Sequence, residues 1–325
     1  MTRRQVLALA TMGLAGVGSP RVAAAEALTT VGELWVQAPG RIPPPVDAFH
    51  AGLRALGYVE DRTVRYISIY AQESDALSDI AIDLVRRRPD VMVTVGDVAT
   101  RAVRDAGARM PIVMASSEDP VGAGLVSSLA YPGGNITGLS AGSSDLAAKR
   151  LDFLKRALPS VSRVAVLWNS TNPLKRPEVT LMQAAATTRG LTIASIDVRG
   201  PDEFESAFED IAKGHAGAVI ALAEAMLLSR LDQIVALASA AKLPVVYDRR
   251  EFVTGGGLMF YGPNLPDLFR RAAGYVDRIV KGARPGDLPI EPATRFDVVV
   301  NGATAKTLGV AIPPDVLAQA VEVLK

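Results

Sequence analysis

From Val31 onward, short runs of β-branched and aliphatic residues alternate with stretches whose apolar positions recur every three or four residues. That alternation predicts βαβ units carried on parallel sheets. VGELWV (31–36), TVRYISIY (63–70), VMVTV (91–95) and PIVMA (111–115) read as strands, since strands covered on both faces are apolar along most of their length. Between them lie three helical patterns. One opens at the prolines 43–45 and closes at Gly57, one runs from about Asp75 to Arg88, and one runs through Asp97 to Ala106. Proline suits a first helical turn and glycine a left-handed C-terminal cap.

The same syntax restarts at RVAVLW (163–168). A helix closing near Gly190, LTIASIDV (191–198), a helix from Pro201 to about Lys213, AGAVIALA (216–223), a helix from about Met226 to Ala241 and LPVVY (243–247) follow. Trp35, Gly57 and Pro111 recur as Trp168, Gly190 and Pro244 at one constant offset. The chain therefore reads as two similar α/β lobes, over 28–140 and 141–251. Neither repeat predicts the tail: GGGLMFYG (255–262), the helical run LPDLFRRAAGYVDRIVKG (265–282), FDVVV (296–300) and a last helical stretch. It is expected to return, 252–298 completing the first lobe and 299–325 the second, with the crossings forming a hinge.

Open parallel sheets bind ligands beyond the carboxyl ends of their strands, where helix N-termini present free amides. In this chain those positions are Gln37; Gly96, Asp97 and Val98; Ser116, Ser117 and Asp119; Asn169 and Asn172; Glu224 and Ala225; and Tyr247 and Arg249. Each has two readings. The amides at Gly96 hold a ligand carboxylate, or Asp97 simply caps its helix. Asn169 and Asn172 read a head group, or make an Asx-type turn. Glu224 faces an ammonium or caps the helix that follows. Arg249 clamps a carboxylate or joins an ion-pair cluster over Asp248–Glu251. Tyr247 stacks on a ring or belongs to the core.

Composition removes several chemistries. The 325 residues include no cysteine, which excludes disulfides and thiolate chemistry, and two histidines, His50 and His215, far apart in sequence. No metal or cofactor is expected. The 35 basic and 34 acidic residues are scattered, so no nucleic-acid footprint appears. A G-x-S-x-G elbow and a phosphate loop are both missing, so no catalytic equipment is visible. Gly122, Gly124 and Ser127 approach a dinucleotide fingerprint, and Asp145 lies near where its ribose-binding acid belongs. That segment, however, follows a fourth strand, with SSED before its first glycine. It is expected to turn at the first lobe's rim, run through a short helix, and make the Pro132-Gly133-Gly134 turn before crossing to the second lobe, with Asp145 capping the next helix. The first residues, MTRRQVLALATMGLAGVGSPRVAAAEA, read as a secretory signal of twin-arginine type cut near Ala25.

Several long motifs carry a family resemblance: EDPVGAGLVSSLAYPGGNITG, FHAGLRALGYVE, SRVAVLWN, GGLMFYGPNLPDLFRRAA and LGVAIPP. The chain resembles the ABC-transporter substrate-binding proteins whose best-understood branch takes up tryptophan and other aromatic amino acids. The resemblance implies a type I periplasmic-binding-protein fold, two Rossmann-like lobes joined by three crossovers. It implies a monomeric periplasmic receptor, not an enzyme, that takes a small polar organic ligand, amino-acid-like or a related carboxylate, between the lobes and presents it to an inner-membrane permease. By the same resemblance Gly96-Asp97-Val98 stands where relatives start a helix under the ligand carboxylate, although Asp97 departs from their small residues. Glu224-Ala225 stands at the ammonium site, and Asn169 and Asn172 match the polar turn. A sensory module for a membrane receptor, or a secreted enzyme using a nucleotide or sugar, are the competing readings.

Overall fold

The computed structural model describes residues 28–36, 44–71, 76–142, 144–172, 175–222 and 225–325. The proposed signal segment lies outside them.

The first half builds β1 (Thr29–Val36), α1 (Pro44–Ala55), β2 (Val64–Ala71), α2 (Leu77–Arg86), β3 (Val91–Val95), α3 (Gly96–Asp105), β4 (Ile112–Ser117) and β5 (Ile136–Ser140). The second continues with α4 (Ser144–Ala157), β6 (Arg163–Trp168), α5 (Lys175–Ala186), β7 (Thr192–Asp197), α6 (Phe204–Lys213), β8 (Ala218–Ala221), α7 (Ala225–Ser229), α8 (Leu231–Ala240), β9 (Val245–Tyr247), α9 (Arg250–Thr254) and β10 (Met259–Pro263). The tail supplies α10 (Leu265–Val280), β11 (Glu291–Pro292), β12 (Phe296–Asn301), α11 (Gly302–Leu308), α12 (Pro314–Gln319) and β13 (Glu322–Leu324).

Two sheets result, ordered β11-β5-β4-β3-β1-β2 and β13-β12-β10-β9-β8-β6-β7. All pairings are parallel except β10 with β12. This is the expected α/β architecture of two Rossmann-like lobes with a type I periplasmic-binding-protein fold. Each sheet is covered on both faces by apolar clusters, as its unbroken hydrophobic strands require.

The tail divides differently from the sequence expectation. Within 252–298, β10 and the start of β12 lie in the second sheet, while α10 and β11 lie with the first. The pairing of β10 with β9 explains this, because GGGLMFYG continues the second sheet rather than leaving it. Helix α10 then packs on α1 and brings Phe269 against Trp35, with ring centroids 5.5 Å apart. Its start is well specified. Asn264 accepts a hydrogen bond from the Asp267 amide at 2.7 Å, and Pro266 sits in the first turn.

Three further features have local causes. The segment after Glu118 turns without forming a helix, and 136–140 forms β5 instead of a crossing. Gly138 (φ +134°) makes that strand possible, because a Cβ there would overlap the Met114 backbone of β4. The single helix expected over 226–241 breaks at Arg230, where Ser229 Oγ bonds back to the Met226 carbonyl at 2.7 Å. Finally, Glu33 of β1 points into the core between Val31 and Trp35. Its fully buried carboxylate accepts from Trp35 Nε1 at 2.9 Å and Ser68 Oγ at 2.6 Å, and it meets His50 Nε2 at 2.8 Å.

Candidate functional site

The carboxyl ends of β3 and β4 in one sheet and of β6 and β9 in the other converge, and charged side chains join them. Glu118 follows β4, and Lys175 opens α5 after the turn that leaves β6. The Lys175 ammonium lies 3.2 and 3.4 Å from the two Glu118 carboxylate oxygens. The partners differ in setting. The lysine side chain is 3% exposed and the glutamate 54%. Burial opposes the lysine's charge, but Glu118, Glu178 and Asp248 outweigh it and hold the ammonium above the usual lysine range.

Behind Lys175, Arg150 of α4 bonds Glu178 of α5 through Nη1 at 2.5 Å, while Arg150 Nε is buried without a hydrogen-bond partner. Glu178 is desolvated, yet Arg150 and Lys175 hold its carboxyl below the ordinary range. Because the folded value is the lower one, its stabilisation is complete above the usual glutamate pKa of about 4.3 and is lost as pH falls through the depressed value. Glu178→Gln should therefore flatten the acid limb of the stability curve, measured by urea unfolding at successive pH values. A variant with the wild-type acid slope would exclude Glu178 as a source of it.

On the first lobe, Asp97 is buried but does not cap its helix. Val95 occupies the cap position, and the Asp97 carboxylate reaches across to accept from Ser117 Oγ and from the amides of Glu118 and Asp119 at 3.2 and 3.0 Å. Burial, with the Glu118 charge adding to it, pushes the carboxyl above the usual aspartate range against those three bonds. Asp97 is thus the strut that sets Glu118 over the cleft. Gly96, with φ +78°, opens α3 beside it, and Val98 is exposed on the same turn. Ser116 and Ser117 are buried at the end of β4, and Asp119 accepts from the Gly122 amide at 2.8 Å.

On the second lobe, the polar turn carries local hydrogen bonds. Asn169 Oδ1 accepts from the Thr171 amide and hydroxyl at 2.9 and 2.7 Å, and the Lys175 amide bonds the Asn172 carbonyl at 3.1 Å. The Asx-type turn therefore delivers the start of α5, and with it Lys175, to the cleft. Tyr247 is core, stacked on Phe252 at 4.6 Å. Arg249 pairs with Glu251 at 2.8 Å, and the charges of Asp248 and Glu118 act on it as well, so it faces the same junction. Ala225 begins α7. Gln37 and Glu224 lie outside the described residues.

Sequence spacing thus identified the strand ends but missed Lys175, Glu118, Glu178 and Arg150 as members of one charge chain. The available signal was a lysine immediately after a polar turn at the head of a helix, where a cation is unfavourable unless acids surround it.

A curated relative, the tyrosine-binding protein of Clostridioides difficile, is 23% identical over 263 residues, 80% of this chain and 75% of that protein. Among solved structures, an ABC domain from Streptococcus pneumoniae in complex with L-Trp superposes with a TM-score of 0.81 at 25% identity, covering 91% of this chain and all of that one. A conserved domain protein from Vibrio cholerae gives 0.77 at 28% identity, over 91% of this chain and 99% of the other. The model of the ABC transporter substrate binding protein family matches residues 36–324, and the chain belongs to that family.

Proposed function

We propose that the protein is the exported solute receptor of an ABC import system and captures a small zwitterionic or carboxylate-bearing organic molecule, of which aromatic amino acids are the first candidates. Its relatives are substrate-binding proteins and not enzymes, and two of them are named for tyrosine or hold L-Trp. The observation that carries the reading is the meeting of Glu118 and Lys175 across the cleft, which puts an acid and a buried cation from opposite lobes within one ligand's reach. A zwitterion presents the complementary pair of charges. Delivery to an inner-membrane permease, and release of a mature chain after Ala25, belong to the same proposal.

The test is calorimetric titration of the protein, stripped of ligand by unfolding and refolding, with L-tryptophan, L-tyrosine and a panel of other amino acids and small carboxylates. Saturable one-to-one binding of at least one of them is expected, with the ligand recovered unchanged. Failure of every member of the panel to bind, or its chemical conversion, would overturn the reading.

A further inference from the structure

The chain passes between the two sheets three times, from β5 to α4, from β10 to α10 and from β11 to β12. The second and third passages meet at Asn264, the residue between β10 and α10. Its backbone amide donates to the Arg295 carbonyl at 2.9 Å. Its side chain is divided between the lobes. Oδ1 accepts from the Asp267 amide at 2.7 Å and so caps α10, which packs on the first sheet, while Nδ2 lies 3.0 and 2.9 Å from the two carboxylate oxygens of Asp297 in β12. The amide has one workable orientation, because the reverse would set N–H against N–H and oxygen against carboxylate. On the second-lobe side, the three passages end in one block. Lys149 of α4 lies over the Phe296 ring at 4.6 Å, Phe296 stacks on Tyr261 at 5.9 Å, and Tyr261 stacks on Phe153 of α4 at 4.9 Å. Helix α4 follows the first passage, Tyr261 lies just before the second, and Phe296 ends the third.

We propose that Asn264 is the pivot on which the two lobes turn, a positioning residue that limits their relative angles without touching a ligand. Hinges are a few residues at the ends of elements that absorb a change of angle. A rotation that carried the start of α10 away from β12 would break one of the two side-chain bonds of Asn264, whereas a rotation about Asn264 itself breaks neither. Arg295 and Asp267 bridge the same joint at 3.5 Å, but the arginine is largely exposed, so that pair contributes little. The clasp is one amide and one carboxylate. It acts whatever occupies the cleft, so the pivot stands apart from the receptor reading.

Exchange of donor and acceptor tests this. The sequence holds no cysteine, so Val121→Cys and Asp202→Cys, one exposed position in each lobe, accept a donor–acceptor dye pair without competition. Donor lifetimes then report the distribution of interlobe distances in the labelled protein, stripped of ligand by unfolding and refolding. Asn264→Asp keeps an oxygen to cap α10 but sets a carboxylate against that of Asp297, so the distribution should broaden and its mean should shift. Asp297→Asn added to it reverses the polarity of the bond and should restore the wild-type distribution. A role confined to capping α10 would leave all three distributions alike, since aspartate caps as well as asparagine. Circular dichroism checks the folding of each variant. Should Asn264→Asp not fold, Asn264→Ser, which caps but is too short to reach Asp297, takes its place and should broaden the distribution as well. A wild-type distribution in the single variant, or a double variant as broad as the single, would overturn the proposal. Neither outcome depends on whether an amino acid binds, so a failed calorimetric panel would count against the receptor reading alone.

Discussion

Gly142→Ala is expected to cost about 2–4 kcal/mol of stability and to loosen the Glu118–Lys175 bridge in the same stroke. Gly142 follows β5 on the first passage between the sheets, where its amide lies 3.3 Å from the Ser117 carbonyl and its own carbonyl accepts from Ser140 Oγ at 2.8 Å. An added Cβ would overlap the Glu118 carbonyl oxygen and stand 2.6 Å from that carbonyl carbon. The obstacle is backbone, not a side chain that can rotate away. Nor can the backbone retreat easily, since the Asp97 carboxylate holds the amides of Glu118 and Asp119. The substitution must therefore move either the crossing or the loop that carries Glu118. Chemical unfolding reads the first effect, and energy transfer between dyes on Val121→Cys and Asp202→Cys, one exposed position in each lobe, reads the second. Wild-type values in both would mean that the crossing and the loop part without penalty.

Glu33→Ala is expected to destabilise by about 3 kcal/mol, because the buried Trp35 indole and Ser68 hydroxyl lose their acceptor and His50 loses its partner. Glu33→Gln should cost markedly less, since its amide oxygen still accepts from one or both donors. Urea unfolding decides between them. The midpoint should fall far more for alanine than for glutamine at an unchanged denaturant slope, which keeps the comparison one of native-state stability. Equal midpoints would show that the acceptor contributes little beyond filling space.

Glu33 also marks the limit of what apolar patterning reveals. VGELWV was legible as a buried parallel strand because its neighbours are apolar, and the strand formed at nearly the expected place. The pattern gave no sign that the one acid within it points inward, because that depends on Ser68 and His50 arriving from other elements. The same distinction runs through the site. RVAVLW and VMVTV formed as read, since each carries its own burial signal. Asp97 was legible as a residue at a strand-to-helix turn, but its partners lie at and just past the end of the next strand, so a local cap was the natural reading and the strut was not. Lys175 and Glu118 are separated by 57 positions and meet only because two lobes face one another. No spacing rule relates them. The short edge strands β11 and β13 were missed for a simpler reason: two or three residues carry no periodicity.

The placement of α10 has a bearing on how the chain is made. Trp35, Phe49 and the rest of that face of the first sheet are covered by Leu268, Phe269, Ala272, Tyr275 and Val276. Those covering residues follow five of the seven strands of the second sheet in the sequence. A ribosome therefore exposes the tryptophan-bearing face long before its lid is synthesised, and the first lobe stays incomplete while the second already has five of its seven strands. The two lobes cannot be separated by cutting between them, and a chain ending before α10 would leave the earliest-made core open to aggregation.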